Sequence, residues 1–274
     1  MSVTLSAPVF TYPGVSALDL INGDFNLRPL PALTVLSIGI TNGADTIFGT
    51  GGNDDINALG GDDVVFAGAG DDWVRGSNGN DTVYAENGND QVNGGEGDDL
   101  LFGGQGSDEV VGSSGNDKLY GGQGQDLLKG GVGNDLLSGD TGNDFVYGGD
   151  GNDEVFGGVG NDLLNGGEGN DRLSGGLGDN ALYGKGGNDT FVFNESELGG
   201  VQFMDGGDGI DTLRVQLATP GAYTIAEVTA AIDAALAGGP DVDGFYVVDG
   251  FGCFTNIERI VSIGLADGNL NYLI

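Results

Sequence analysis

Gly94-Gly95-Glu96-Gly97-Asp98-Asp99-Leu100-Leu101-Phe102 is one nine-residue unit that this chain repeats. It reads G-G-x-G-x-D-x-U-x, with U a large apolar residue. Backwards from it the sixth position falls on Asp90, Asp81, Asp72, Asp63, Asp54 and Asp45. Forwards it falls on Asp108, Asp117, Asp126, Asp135, Asp144, Asp153, Asp162, Asp171, Asn180 and Asp189. In all 17 units a glycine stands two residues before this position, from Gly43 to Gly187. An apolar residue stands two after it, from Ile47 to Phe191. A fixed short period sustained over residues 40–192 is the signature of a repeat architecture.

The unit has a direct physical reading. The segment G-G-x-G-x-D buries nothing and favours positive φ, so it is expected to turn. Asn fills the fifth position in ten units, Asn53, Asn80 and Asn89 first among them, and tolerates a left-handed backbone. The remaining x-U-x makes a short strand whose central side chain points opposite to its neighbours. Two units then complete a coil of about 18 residues, with two strands and two turns. Stacked coils bury Ile47, Ile56, Val65, Val74, Val83, Val92, Leu101 and their successors. One coil alone buries almost nothing, so stability comes from stacking. About 8.5 coils at roughly 4.8 Å predict a roll about 40 Å long.

Stacking creates an electrostatic problem. Asp45 lies over Asp63 and Asp63 over Asp81, while Asp54, Asp72 and Asp90 form a second column. Carboxylates roughly 5 Å apart repel unless a cation sits between them. The other nearby groups are backbone carbonyls of glycine-rich turns. An oxygen-only site with several carboxylates suits Ca²⁺ rather than Zn²⁺ or Cu²⁺. The chain has no His and one Cys, which excludes soft-metal chemistry on inventory.

These nonapeptides resemble the RTX (repeats-in-toxin, haemolysin-type calcium-binding) family. The match runs through residues 40–192 and includes an isolated unit, Gly206-Gly207-Asp208-Gly209-Ile210-Asp211-Thr212-Leu213-Arg214. The resemblance implies an all-β fold, a parallel β-roll (β-solenoid) of 18 residues per coil. It also implies Ca²⁺ ions, each shared by the sixth-position aspartates of successive coils and by glycine-loop carbonyls. Asp54 and Asp72 would share one ion, Asp63 and Asp81 another, and Asp211 would join the ligand set. Asn180 departs from the pattern, so the site it shares with Asp162 is expected to be weak or empty.

Composition agrees with that expectation. A formal charge of −34 would keep the metal-free chain expanded. About 15 inter-coil sites would supply about +30, so metal binding and folding are expected to be one event. The same acidity excludes nucleic acid as a partner. The N-terminus lacks a basic region followed by an unbroken apolar run, so no cleaved signal peptide is expected. No stretch reaches the roughly 18 apolar residues of a membrane span. Weak Ca²⁺ sites need the millimolar Ca²⁺ found outside the cell. The resemblance resolves this with type I secretion through an uncleaved C-terminal signal, for which the tail Gly268 to Ile274 is compatible. The expected location is therefore extracellular or at the cell surface. Cys253 has no partner for an internal disulfide and is expected to be a buried small residue.

The flanks are expected to be caps. Residues 1–39 form a short N-terminal cap, with Pro8, Pro13, Pro29 and Pro31 ruling out a long helix. Residues 193–274 form a small α+β C-terminal cap. Thr224-Ile225-Ala226-Glu227 is a capping box, and Ile225, Val228, Ile232 and Leu236 follow on one helical face. A strand-like run covers Gly244 to Val248, and Asn256 to Val261 is similar to segments that follow many RTX arrays.

The ninth position of alternate units carries Phe48, Phe66, Tyr84, Phe102, Tyr120, Ser138 and Phe156. These fall on the outer face of one sheet as an aromatic ladder. Either a flanking segment covers it, or it is a surface for self-association or a ligand, or its rings simply stack in solvent. Catalysis is not expected, because the chain has no His, its Asp-Asp pairs belong to the repeat, and 39 residues cannot hold a catalytic domain. Ice binding would need a Thr rank that is missing, and a binder of acidic polysaccharide would need a basic stripe. A secreted structural or interaction component is the expected function. The alternative is a secretion and folding module, or a small secreted effector acting on a host membrane or partner.

Overall fold

Thr82–Asn87 shows why the repeat makes a roll. Val83 and Ala85 are fully buried, Thr82 and Tyr84 are half-buried, and Glu86 and Asn87 face solvent. This strand pairs in parallel with Val64–Ala69 on one side and Leu100–Gln105 on the other. The register places Val65, Val83 and Leu101 side by side at steps of 18 residues. Alternate units build a second sheet in the same way, with Val74 beside Val92.

The computed structural model describes residues 40–194, 200, 202–217, 227, 230, 246–248, 252–255, 257, 259–264 and 270–272. Within them two sheets of 12 and 11 strands face each other, with the repeat strands stacked in chain order. The fold is the expected all-β parallel β-solenoid. The U residues from Ile47 to Phe191 form the core between the sheets, each no more than 2% exposed.

Parallel stacking runs on past the seventeenth unit. Gln202–Asp208 pairs with Asn180–Gly186, and Thr212–Leu217 pairs with Thr190–Asn194. Arg259–Gly264 then extends the first sheet and Gly252–Thr255 the second. Antiparallel partners end each sheet: Leu270–Tyr272 on the first and Tyr246–Val248 on the second. Cys253 is in register with Phe203 and Val247. The expected helix lies almost wholly outside the described residues, of which Glu227 and Ala230 are helical, and the N-terminal cap lies entirely outside them. Among the described residues no helix is long and apolar enough to cross a membrane.

Two local expectations are corrected. The strands are mostly six residues long, because the ladder continues through the second and third positions of the next unit. Stacked identical bends keep their hydrogen bonds, so the true turn shrinks to the fourth to sixth positions. Positive φ is confined to the second and fourth positions of the repeat, and no fifth-position Asn adopts it. The asparagines instead form a ladder along the outside of the turns. Asn152 Nδ2–H and N–H donate to Asn134 Oδ1, and Asn170 does the same to Asn152.

Candidate metal centre

Asp99 shows how the turn positions its carboxylate. Gly97, two residues earlier, takes a φ of +127° that L side chains rarely adopt and swings the chain into the coil interior. Asp99 Oδ1 accepts the backbone N–H of Asp81 at 2.8 Å. The Asp99 N–H in turn donates to Asp117 Oδ1 at 2.8 Å. The other oxygen, Oδ2, is buried and accepts no hydrogen bond.

This arrangement is propagated along both edges. On one edge it links Asp45, Asp63, Asp81, Asp99, Asp117, Asp135, Asp153, Asp171, Asp189 and Asp211. On the other it links Asp54, Asp72, Asp90, Asp108, Asp126, Asp144, Asp162 and Asn180. The unit read as isolated therefore continues the first column, with a step of 22 residues between Asp189 and Asp211.

Every Oδ2 from Asp63 to Asp171, and that of Asp189, is buried without a hydrogen-bond donor. From Asp99 to Asp171 each looks into a cleft walled by glycine, as do those of Asp81 and Asp189, whereas Ala58, Ala67 and Ala85 stand at that place for Asp63, Asp72 and Asp90. A Cβ added to Gly103 would lie 2.5 Å from Asp108 Oδ2 and 2.7 Å from the Gly121 carbonyl oxygen of the next coil. A carboxylate oxygen and a carbonyl oxygen thus converge with no N–H or O–H group of the protein donating to the Oδ2.

Burial is the main cause of the resulting pKa changes, raising Asp90, Asp99, Asp144 and Asp171 to about 7. The N–H bond to Oδ1 opposes the rise, and neighbouring carboxylates in the column add to it. Asp63, Asp72, Asp108 and Asp126 are raised to about 6 for the same leading reason. A row of buried, donor-free anionic oxygens backed by carbonyls fits a hard divalent cation of Ca²⁺ type. Among the described residues no three His, Cys, Asp or Glu side chains converge on one point. What the turn brings together is a carboxylate Oδ2 and a glycine carbonyl oxygen of the next coil, as at Asp108 and Gly121.

The end units differ. Thr50 N–H and Oγ1 donate to Asp54 Oδ2 at 2.6 and 2.9 Å, and Thr41 does the same to Asp45 Oδ2 at 2.7 and 3.0 Å. Gln202 stands in register beyond Asn180, a placement the repeat pattern did not reveal. Counting back nine residues from Asp211 lands on it, so the phase was present without the aspartate.

The aromatic ladder forms as five stacked rings. Phe48, Phe66, Tyr84, Phe102 and Tyr120 follow at centroid spacings of 5.0–5.3 Å, with interplanar angles of 2–11°. Ser138 interrupts it, and Phe156 beyond the gap carries the Arg172 guanidinium at 5.4 Å from its ring.

A family model for the RTX calcium-binding nonapeptide repeat (4 copies) matches residues 40–74, 66–101, 102–137, 129–164 and 156–191. No curated protein matches the chain.

Proposed function

The chain belongs to the RTX calcium-binding nonapeptide-repeat family, and on that premise we propose a secreted protein that Ca²⁺ folds outside the cell. Once folded, it serves as a structural or interaction component of a surface layer, matrix or filament. Calcium binding by a β-roll is the family property, and secretion is typical of its members. The ligands assigned here are the column aspartates, whose Oδ2 groups would hold the ions together with glycine-turn carbonyls. When bound, the ion supplies the positive charge that these oxygens lack. Passage through type I secretion machinery in an unfolded state follows from the same reading.

The observation that carries the metal assignment is the run of buried Oδ2 atoms without donors. The interaction role is supported by the stacked rings from Phe48 to Tyr120, of which Phe48 is 54% exposed. Apolar aromatic surface of this length is unusual on a lone monomer.

Circular dichroism and sedimentation of refolded protein, titrated with Ca²⁺ from chelator to about 10 mM, test both parts. The expected result is a coil-to-β transition followed by large ordered species. A transition ending in a monodisperse monomer would sink the assembly role, and no transition would sink the metal assignment.

A further inference from the structure

The second aspartate column ends on two carboxamides. Asn180 is 3% exposed and Gln202 is 1% exposed, so neither amide is hydrated from outside. Asn180 Oδ1 accepts the Asp162 N–H at 2.7 Å, as every aspartate in the column does for its predecessor. That bond fixes the flip of the amide and turns its NH₂ group to where an aspartate would place Oδ2. There Nδ2 donates to the carbonyl oxygen of Gly176 at 3.3 Å, with Gly178 O at 3.5 Å. Gln202 Nε2 reaches the same two carbonyls, at 3.3 and 3.0 Å. Both side chains crowd the cleft of Gly175, whose added Cβ would lie 2.5 Å from Gln202 Oε1 and 2.7 Å from Asn180 Nδ2.

The chemistry is inverted relative to the other coils. An aspartate at 180 would set an anionic oxygen against two carbonyl oxygens and would require a cation. An amide sets N–H donors against them and satisfies them directly. Among the described residues no other side-chain amide donates to carbonyls at the second and fourth positions of a unit. At the opposite end of the roll Thr41 and Thr50 likewise bring donors to the first Oδ2 of each column.

We propose that the Asn180 and Gln202 carboxamides replace Ca²⁺ at the C-terminal end of the second column, closing this edge of the roll without metal. The inference rests on the reading of the preceding coils as Ca²⁺ sites. It makes the two edges unequal in ion count and gives the C-terminal part of the roll a metal-independent seam.

The test counts ions bound to the full chain by equilibrium dialysis with atomic emission, comparing wild type with Asn180→Asp/Gln202→Asp. The double variant is expected to bind at least one more Ca²⁺ per chain. An unchanged count in a variant that folds in Ca²⁺ would overturn the proposal. A wild type that binds no Ca²⁺ would overturn the reading beneath it instead. Thermal unfolding of Asn180→Ala/Gln202→Ala in saturating Ca²⁺ gives a second measurement, with a midpoint lowered by several degrees expected. An unchanged midpoint there would show that the amides hold nothing together.

Discussion

Gly106 and Ser113 both take positive φ, +131° and +86°, but only one of them is a glycine. A Cβ on Gly106 would drive into the Gly88 carbonyl of the coil before it. Gly106→Ala is therefore expected to cost more than the roughly 1–3 kcal/mol of backbone strain alone. Ser113 already carries the left-handed penalty, so Ser113→Gly is expected to stabilise by about 1 kcal/mol. Denaturant unfolding at fixed Ca²⁺ checks both. Glycine's part was legible at this scale because it depends only on the local backbone. The fifth-position asparagines were not, because their role lies in a residue 18 positions away. A side chain that tolerates one conformation and serves another purpose looks the same in a single unit.

Along a turn column, the carboxylates are the titrating element. Their ordinary pKa is near 3.8, and burial raises it to about 6 for Asp63 and about 7 for Asp99. A group whose folded pKa is raised binds protons more tightly when folded. Its contribution is fully present below about pH 4 and is lost as pH rises through 6 to 7. In chelator the roll is thus expected to gain β-structure on acidification from pH 7 to about 4, and Ca²⁺ affinity is expected to fall over the same range. Circular dichroism with and without Ca²⁺ checks this, and a metal-free chain most ordered at neutral pH would contradict it. Asp spacing alone placed both columns in the sequence. The column end did not show, since Gln202 keeps the phase but not the residue type, and the step of 22 residues between Asp189 and Asp211 disguises the register.

The whole molecule sets 42 Asp and Glu against eight Lys and Arg, a net charge of −34. The described ion pairs, Arg75 with Asp55, Lys129 with Glu109 and Arg172 with Glu154, offset little of it. The handover between sheets could be counted from the period, whereas the stack runs on past the seventeenth unit. The closing strands Tyr246–Val248 and Leu270–Tyr272 could not, because they pair antiparallel in a region without a period. Contacts between coils are nearest-neighbour, so stability is expected to add coil by coil. Truncating N-terminal residues in steps of one coil is expected to lower the thermal midpoint gradually. Removing the strands beyond Asp189 is expected to cause a much larger loss, and calorimetry in Ca²⁺ compares the two series.

That difference comes from the aspartate hydrogen bond, which has an arrow. Each Oδ1 serves the N–H of the preceding coil and never that of the following one. Cutting at the N-terminal end frees a carboxylate oxygen to which water readily donates. Cutting at the C-terminal end strips the donating coil of the acceptor that anchors its turn N–H. In its aspartate side chains the roll is a one-way lattice, each layer fastened by the layer after it, and it is expected to erode from its beginning and to be locked from its end.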